Sequence, residues 1–186
     1  MDICAVVTYR IGASRQQPTT SDSRTELDSH ADTCVVGRNA LIFHDFERPV
    51  NVTGYDPALG INKDVKTVSA AIAYDDPTTG EVIILVLHQA LHIPTMEHNL
   101  LCPMQLRMND VMVSEIPKFL TENPTDRTHA LTIPTTTGDV YRIALSIHGV
   151  TSYFPTRRPS TNEFEHATSR YDLTYELPDW DPTDPT

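Results

Sequence analysis

Residues 24–36 combine two strand-like apolar stretches with a short polar turn that carries two aspartates. Leu27 precedes the turn and Val35 follows it, so the pattern predicts a strand, a tight loop and a second strand. The loop consists of Asp28, Ser29, His30, Ala31, Asp32 and Thr33. Asp and Ser favour turns in general, so the first aspartate is either an ordinary capping acceptor or a group that does acid–base chemistry.

Paired carboxylates can hydrolyse peptide bonds when two aspartates lie about 3 Å apart and share one proton. The ionised carboxylate activates a water molecule, which attacks the scissile carbonyl, while the protonated one donates its proton. A chain that contributes a single loop of this kind must dimerise to supply the second aspartate, and the site then lies on the two-fold axis. If Asp28 works in this way, the protein is a homodimer.

A second segment, residues 91–106, combines an apolar strand with the start of a helix. Apolar residues recur at helical spacing at Leu100, Leu101, Met104 and Met108. Proline is tolerated in the first turn of a helix, so we expect the helix to begin near Cys102 with Pro103 in that turn.

The chain between these two segments is dominated by predicted strands. Residues 75–80 combine Asp, Pro and Gly, which indicates a turn that joins residues 69–74 and 81–87 as an antiparallel hairpin. A second hairpin is predicted around residues 135–139. The fold class predicted from these patterns is mainly β, nearer to a small closed β-domain than to an alternating βαβ sheet.

The loop at Asp28 resembles the Asp-Ser/Thr-Gly-Ala-Asp/Ser/Thr loop of the retropepsins, the aspartic proteases of retroviruses and retrotransposons. The resemblance implies that Asp28 is the catalytic carboxylate and that the Ser29 hydroxyl braces the two loops of a dimer. Ala31 matches the small residue that lets the loop pack closely. Asp32 and Thr33 match the polar pair that leads into the next strand.

The second segment resembles copia-type retrotransposon proteases, in which an apolar-x-Val-Pro element precedes Asn-Leu-Leu-Ser-x-x-x-Leu. The residues that carry the resemblance are Leu91-His92-Ile93-Pro94 and Asn99–Leu106, with Ile93 in place of Val and Cys102 in place of Ser. The resemblance implies that Asn99, Leu100 and Leu101 form a buried strand behind the catalytic loop and lead into the helix. It also implies a closed, barrel-like retropepsin fold with one short C-terminal helix. Residues 50–68 would supply a flap over the substrate, with Gly54, Tyr55 and Gly60 as its candidate residues.

One loop position departs from the family pattern, because His30 stands where retropepsins have glycine. Glycine allows close backbone approach and unusual angles, whereas histidine is bulky, although it tolerates positive φ better than most residues. Two functions therefore remain open. The first is an aspartic endopeptidase that processes a retrotransposon polyprotein, and the second is an inactive relict that dimerises or binds peptides.

Composition divides the chain into four predicted regions. Residues 1–23 are expected to form a flexible arm, residues 24–112 the retropepsin-like domain and residues 113–154 an additional β-hairpin or spacer. Residues 155–186 are rich in proline and acidic residues, so we expect a disordered tail.

The net charge of −11 argues against direct nucleic-acid binding, which needs clustered Lys and Arg. No apolar stretch approaches the roughly 20 residues of a membrane span, so no membrane contact is expected. Three widely spaced cysteines favour reduced thiols and a cytoplasmic location. Asp28, His30, Asp32 and Cys34 alternate along the chain, but such residues on one strand rarely converge on an ion, so neither a metal nor another cofactor is expected.

Overall fold

The computed structural model describes residues 2–4, 23–54, 58 and 60–184, with only the backbone described for residues 2–4. The strands are β1 (Asp2–Cys4), β2 (Arg24–Leu27), β3 (Val35–Val36), β4 (Leu41–Asp45), β5 (Val50–Thr53), β6 (Ile61–Asp75), β7 (Val82–His92), β8 (Asn99–Leu101), β9 (Met112–Ser114), β10 (Ala130–Pro134), β11 (Val140–Ala144), β12 (Ser146–His148), β13 (Thr151–Pro155) and β14 (Arg170–Thr174). The helices are α1 (Pro103–Met108), α2 (Thr161–His166) and a short 3-10 helix (Lys118–Leu120).

Two sheets contain these strands, and the protein is mainly β as predicted. The large sheet has the order β1-β5-β6-β7-β3-β8-β2-β13-β12, with β14 also paired to β7 and β4 to β6. The small sheet has the order β11-β10-β9. The antiparallel hairpins β6–β7 and β10–β11 confirm both hairpins predicted from the turn sequences.

The β6–β7 hairpin forms the centre of the hydrophobic core. The run Val82–Leu87 is continuously apolar, and residues on both of its faces are buried, because α2 and its flanking residues cover one face and the main core covers the other. The turn between the strands closes with the Gly80 N–H donating to the Asp76 carbonyl, and Gly80 has a φ of 74°. This long hairpin provides the frame on which the shorter strands assemble.

The helix α1 begins where the sequence indicated. Cys102 is the N-cap, its sulfur accepts a hydrogen bond from the Gln105 N–H, and Pro103 occupies the first helical turn. Proline has no N–H and a fixed φ, which suits this position. The prediction for the start of this helix is confirmed.

The predicted closed barrel is wrong. Within the described residues the large sheet runs from β1 at one edge to β12 at the other and does not close. Alternation of apolar residues shows which strand faces are covered but carries no information on whether the end strands meet. A second α-helix, α2, was not predicted.

The predicted disordered tail from residue 155 is also wrong. Strand β14 pairs in parallel with β7, and Leu173 is fully buried. Ser160 and Glu163 form a reciprocal capping box at the start of α2. Composition alone did not predict this order, because the tail has few apolar residues. Its backbone is ordered by hydrogen bonds to β7, a partner that is distant in the sequence.

The two remaining regions differ in part from their predictions. Residues 2–4 form β1, parallel to β5, so the prediction of a flexible arm fails there, and residues 5–22 lie outside the described residues. Residues 113–154 do contain the predicted hairpin, but β13 pairs with β2 and thereby extends the large sheet. The segment is thus part of the same fold rather than a separate spacer.

One buried histidine, His129, and two half-buried histidines, His88 and His92, should make the stability of the protein depend on pH. Burial lowers the pKa of His88, His92 and His129 below the ordinary value for histidine. Between the folded and the unfolded pKa values of these histidines, the unfolded chain binds more protons than the folded chain. Their contribution to stability is therefore fully present above the unfolded pKa and is lost as the pH falls through the folded pKa. Urea titrations should therefore show a lower free energy of unfolding at pH 5 than at pH 7.

The variant His88→Asn removes one titrating group while keeping an amide near the position of Nδ1, which lies 2.8 Å from Ser69 Oγ. Its free energy of unfolding should fall less steeply between pH 7 and pH 5. A stability that rises as the pH falls through this window would contradict the assignment.

A candidate active site at the Asp28–Thr33 loop

The loop at Asp28 wraps around the end of β8. Strand β8 is parallel to β2, which enters the loop, and antiparallel to β3, which leaves it. At the point where β2 ends, the Asp28 N–H donates to the Leu101 carbonyl at 3.0 Å. Leu100 and Leu101 are buried. The two motifs, about 70 residues apart in sequence, therefore lie side by side in the same sheet.

Asn99 ties the two strands that flank the loop. Its side chain is fully buried. Its Oδ1 accepts from the Gly37 N–H at 2.9 Å, and its Nδ2 donates to Thr25 Oγ1 at 3.2 Å. Gly37 fits here because a Cβ would lie 2.4 Å from the Met96 carbonyl oxygen. One amide thus fixes the entry and the exit of the loop.

The rear of the loop is closed by α1 and by two thiols. Gln105, fully buried on α1, accepts from the Cys34 N–H at 2.8 Å. The Cys102 N–H donates to the Cys34 sulfur at 3.2 Å. Burial raises the pKa of both Cys34 and Cys102, so neither thiol is ionised at neutral pH. These cysteines pack the loop and do not act as nucleophiles.

Asp28 lies at the front of the loop in a tight Asx turn. Its Oδ1 accepts from the His30 N–H at 2.9 Å, and its carbonyl accepts from the Ala31 N–H at 3.3 Å. The Asp28 side chain is 10% exposed, whereas Ser29 and His30 are exposed. Ala31 and Thr33 are buried behind them. The carboxylate is thus held in place and mostly covered, and its neighbours in the chain are an exposed hydroxyl and an exposed imidazole.

His30 occupies the glycine position without backbone strain. The described non-glycine residues with positive φ do not include it. Its side chain is 76% exposed, with Nδ1 at 3.9 Å from the Asp28 Oδ1. The loop therefore adopts its conformation with histidine in place, and the imidazole faces solvent beside the carboxylate.

The loop also contacts the C-terminal part of the chain. Trp180 Nε1 donates to the Asp32 carbonyl at 3.1 Å and to Thr33 Oγ1 at 3.2 Å. A cavity of about 240 Å³ opens beside this contact. It is lined by Ser29, His30, Ala31, Asp32, Cys102, Met104, Trp180 and Pro182.

The predicted flap corresponds to the hairpin β5–β6. Thr53 pairs with Ile61, so Gly54 and Gly60 flank its tip, and Gly60 has a φ of 84°. Tyr55, the third flap candidate, lies outside the described residues. The base of the hairpin packs through Val52 and Val65 on the apolar cluster that also contains Val35, Leu91 and Leu100. The hairpin and the strands that support the loop therefore share one cluster.

Three residues that contact the loop, or the segment that reaches it, were not predicted from the sequence. Gln105 belongs to the motif around Asn99, but its hydrogen bond with the Cys34 N–H depends on how α1 packs against the loop, which the sequence does not show. Gln89 lies in β7, and its side-chain amide contacts Pro178 and Trp180. Neither Gln89 nor Trp180 carries a local pattern that separates it from ordinary strand or tail residues. Among the described residues, His, Cys, Asp and Glu side chains form no group of three suited to a metal ion.

Comparisons of the chain with protein-family models, curated protein sequences and solved structures gave no significant match. In the described part of the chain, no helix has the length and apolar character required to cross a membrane.

Proposed function

We propose that the chain is one subunit of a homodimeric aspartic endopeptidase of the retropepsin type. The observation that carries the proposal is the hydrogen bond from the Asp28 N–H to the Leu101 carbonyl. It joins the aspartate loop to the Asn-Leu-Leu strand, the two motifs that resemble the family independently. A chance Leu-Asp-Ser turn would have no reason to lie against that strand.

In the proposed reaction, two Asp28 carboxylates from two subunits share one proton. The ionised carboxylate removes a proton from water, and the water oxygen attacks the scissile carbonyl carbon. The protonated carboxyl group then supplies a proton to the departing amine. The Asx turn supports this role because the His30 N–H holds one Asp28 oxygen in place. The substrate class is a polypeptide, in particular a retrotransposon polyprotein.

The alternative, an inactive dimerising or peptide-binding module, is favoured by histidine at the glycine position. The unstrained backbone and exposed ring of His30 weaken that argument. Variants at position 30 separate the two functions.

We expect the natural chain to cleave a polyprotein-derived peptide, and His30→Gly to change kcat/KM by less than about tenfold, or 1.4 kcal/mol. His30→Ala is the matched control, because it removes the imidazole without adding the backbone freedom of glycine. If only His30→Gly is active, the natural chain is the inactive module.

A further inference from the structure

The segment Tyr175–Pro182, here called the C-terminal strap, connects the end of β14 to the candidate active-site loop. Leu173 and Thr174 at the end of β14 are buried, whereas residues 175–179 are exposed. Trp180 is partly buried where it meets the loop. The strap therefore runs from a buried strand to the loop, and only some of its residues contact the rest of the protein.

The first anchor is Gln89, in a bulge of β7. The β6–β7 register shifts between Val68 and Ala70, and Gln89 has a φ of 55°. Bulges redirect side chains, and positive φ is uncommon in a residue other than glycine. The Gln89 side chain, which is almost fully buried, is directed at the strap.

Gln89 uses both ends of its amide on the strap. Its Nε2 lies 3.2, 3.1 and 2.9 Å from the carbonyl oxygens of Tyr175, Glu176 and Pro178. Its Oε1 accepts from the Trp180 N–H at 2.7 Å. Gln89 therefore binds backbone groups of the strap in one bent conformation, since residues 176–178 form bends.

The second anchor is the Trp180 indole on the loop. Its N–H reaches the Asp32 carbonyl and the Thr33 hydroxyl, in the half of the loop opposite Asp28. Between the two anchors, Arg48 pairs with Asp179 at 2.6 Å, an exposed ion pair that contributes little to stability. The strap therefore connects the β7 bulge to the rear half of the loop.

Few apolar contacts hold the strap. Tyr175 is 40% exposed and Leu177 is 72% exposed. Segments with few buried apolar contacts and exposed backbone open at low free energy without unfolding the core. Release of the strap would remove Trp180 and Pro182 from the wall of the 240 Å³ cavity.

We propose that the C-terminal strap is a reversible brace that docks on Gln89 and, through Trp180, holds the Asp32–Thr33 half of the loop. In the docked state the loop has one conformation, and in the released state the loop loosens and the cavity opens. Any consequence for peptide cleavage rests on the proposed function, but the docking itself does not.

Hydrogen exchange and tryptophan fluorescence on the full chain test this proposal, since Trp180 is the only tryptophan. In Gln89→Leu, emission should shift to the red, towards that of the unfolded chain. Exchange in residues 28–34 should become about two- to tenfold faster, the factor expected when the loop loses the single hydrogen-bond donor that the Trp180 indole supplies. Trp180→Phe, which keeps an aromatic ring but removes the indole N–H together with part of the ring system, should accelerate exchange in the same residues.

Leu177→Ala is the matched control, since it alters an exposed strap side chain, and both signals should stay at their natural values. If Gln89→Leu does not fold, Trp180→Phe decides the outcome. Unchanged exchange in residues 28–34 in the folded variants would overturn the brace. A chain that shows the exchange effect but cleaves no peptide would refute the protease and leave the brace standing.

Discussion

Replacing Asp28 with Asn is expected to reduce peptide cleavage by about 10²- to 10⁴-fold, the usual loss when a general acid–base group is removed. The amide of Asn cannot take a proton from water. It can still accept the hydrogen bond from the His30 N–H, which Asp28 accepts at 2.9 Å, so the loop should keep its conformation. The kcat/KM for a polyprotein-derived peptide is the quantity to measure.

A matched control is Asp126→Asn. Asp126 is a 68% exposed carboxylate that pairs with Arg142 at 3.1 Å, an interaction of small energetic value. This variant should cleave at the natural rate. Full activity in Asp28→Asn would show that Asp28 takes no part in the reaction and would refute the proposed function.

Replacing Asn99 with Leu is expected to lower the free energy of unfolding by about 2–4 kcal/mol. The two side chains are similar in size, so the change mainly removes hydrogen bonds. The Gly37 N–H would lose its 2.9 Å acceptor in a buried place, and Thr25 Oγ1 would lose one of its partners. Thr25 keeps its 2.7 Å contact with Thr156 Oγ1, so the Gly37 N–H should account for most of the loss.

Urea denaturation monitored by circular dichroism measures this change. Asn162→Leu, an exposed position on α2, serves as the control and should stay within about 0.5 kcal/mol of the natural chain. A loss below about 1 kcal/mol in Asn99→Leu would mean that Asn99 does not fix the ends of the loop.

The parts of the fold with local sequence signals could be predicted. The turn at Asp76–Gly80 and the proline in the first turn of α1 have strong conformational preferences of their own. The loop at Asp28 and the strand at Asn99 were placed together through their joint resemblance to one family. Their contact is confirmed by the pairing of β2 and β3 with β8.

Features that depend on distant partners could not be predicted. Nothing in residues 170–174 indicates that β7 has a free edge for β14 to pair with. Gln89 has no local signal, because its role depends on a bulge and on a segment more than 80 residues away. His30 suggested a defective loop because sequence alone does not give φ, which in the folded chain is not positive.

The proposed active site shared between two subunits is tested most directly by mixing the natural chain with Asp28→Asn at constant total concentration and letting the subunits exchange. If each site needs one Asp28 from each of two subunits, cleavage should fall as the square of the fraction of natural chain. An equal mixture should then retain about a quarter of the activity, since subunits pair at random. A linear fall, with half the activity retained, would show that one chain forms a complete site and would contradict the account.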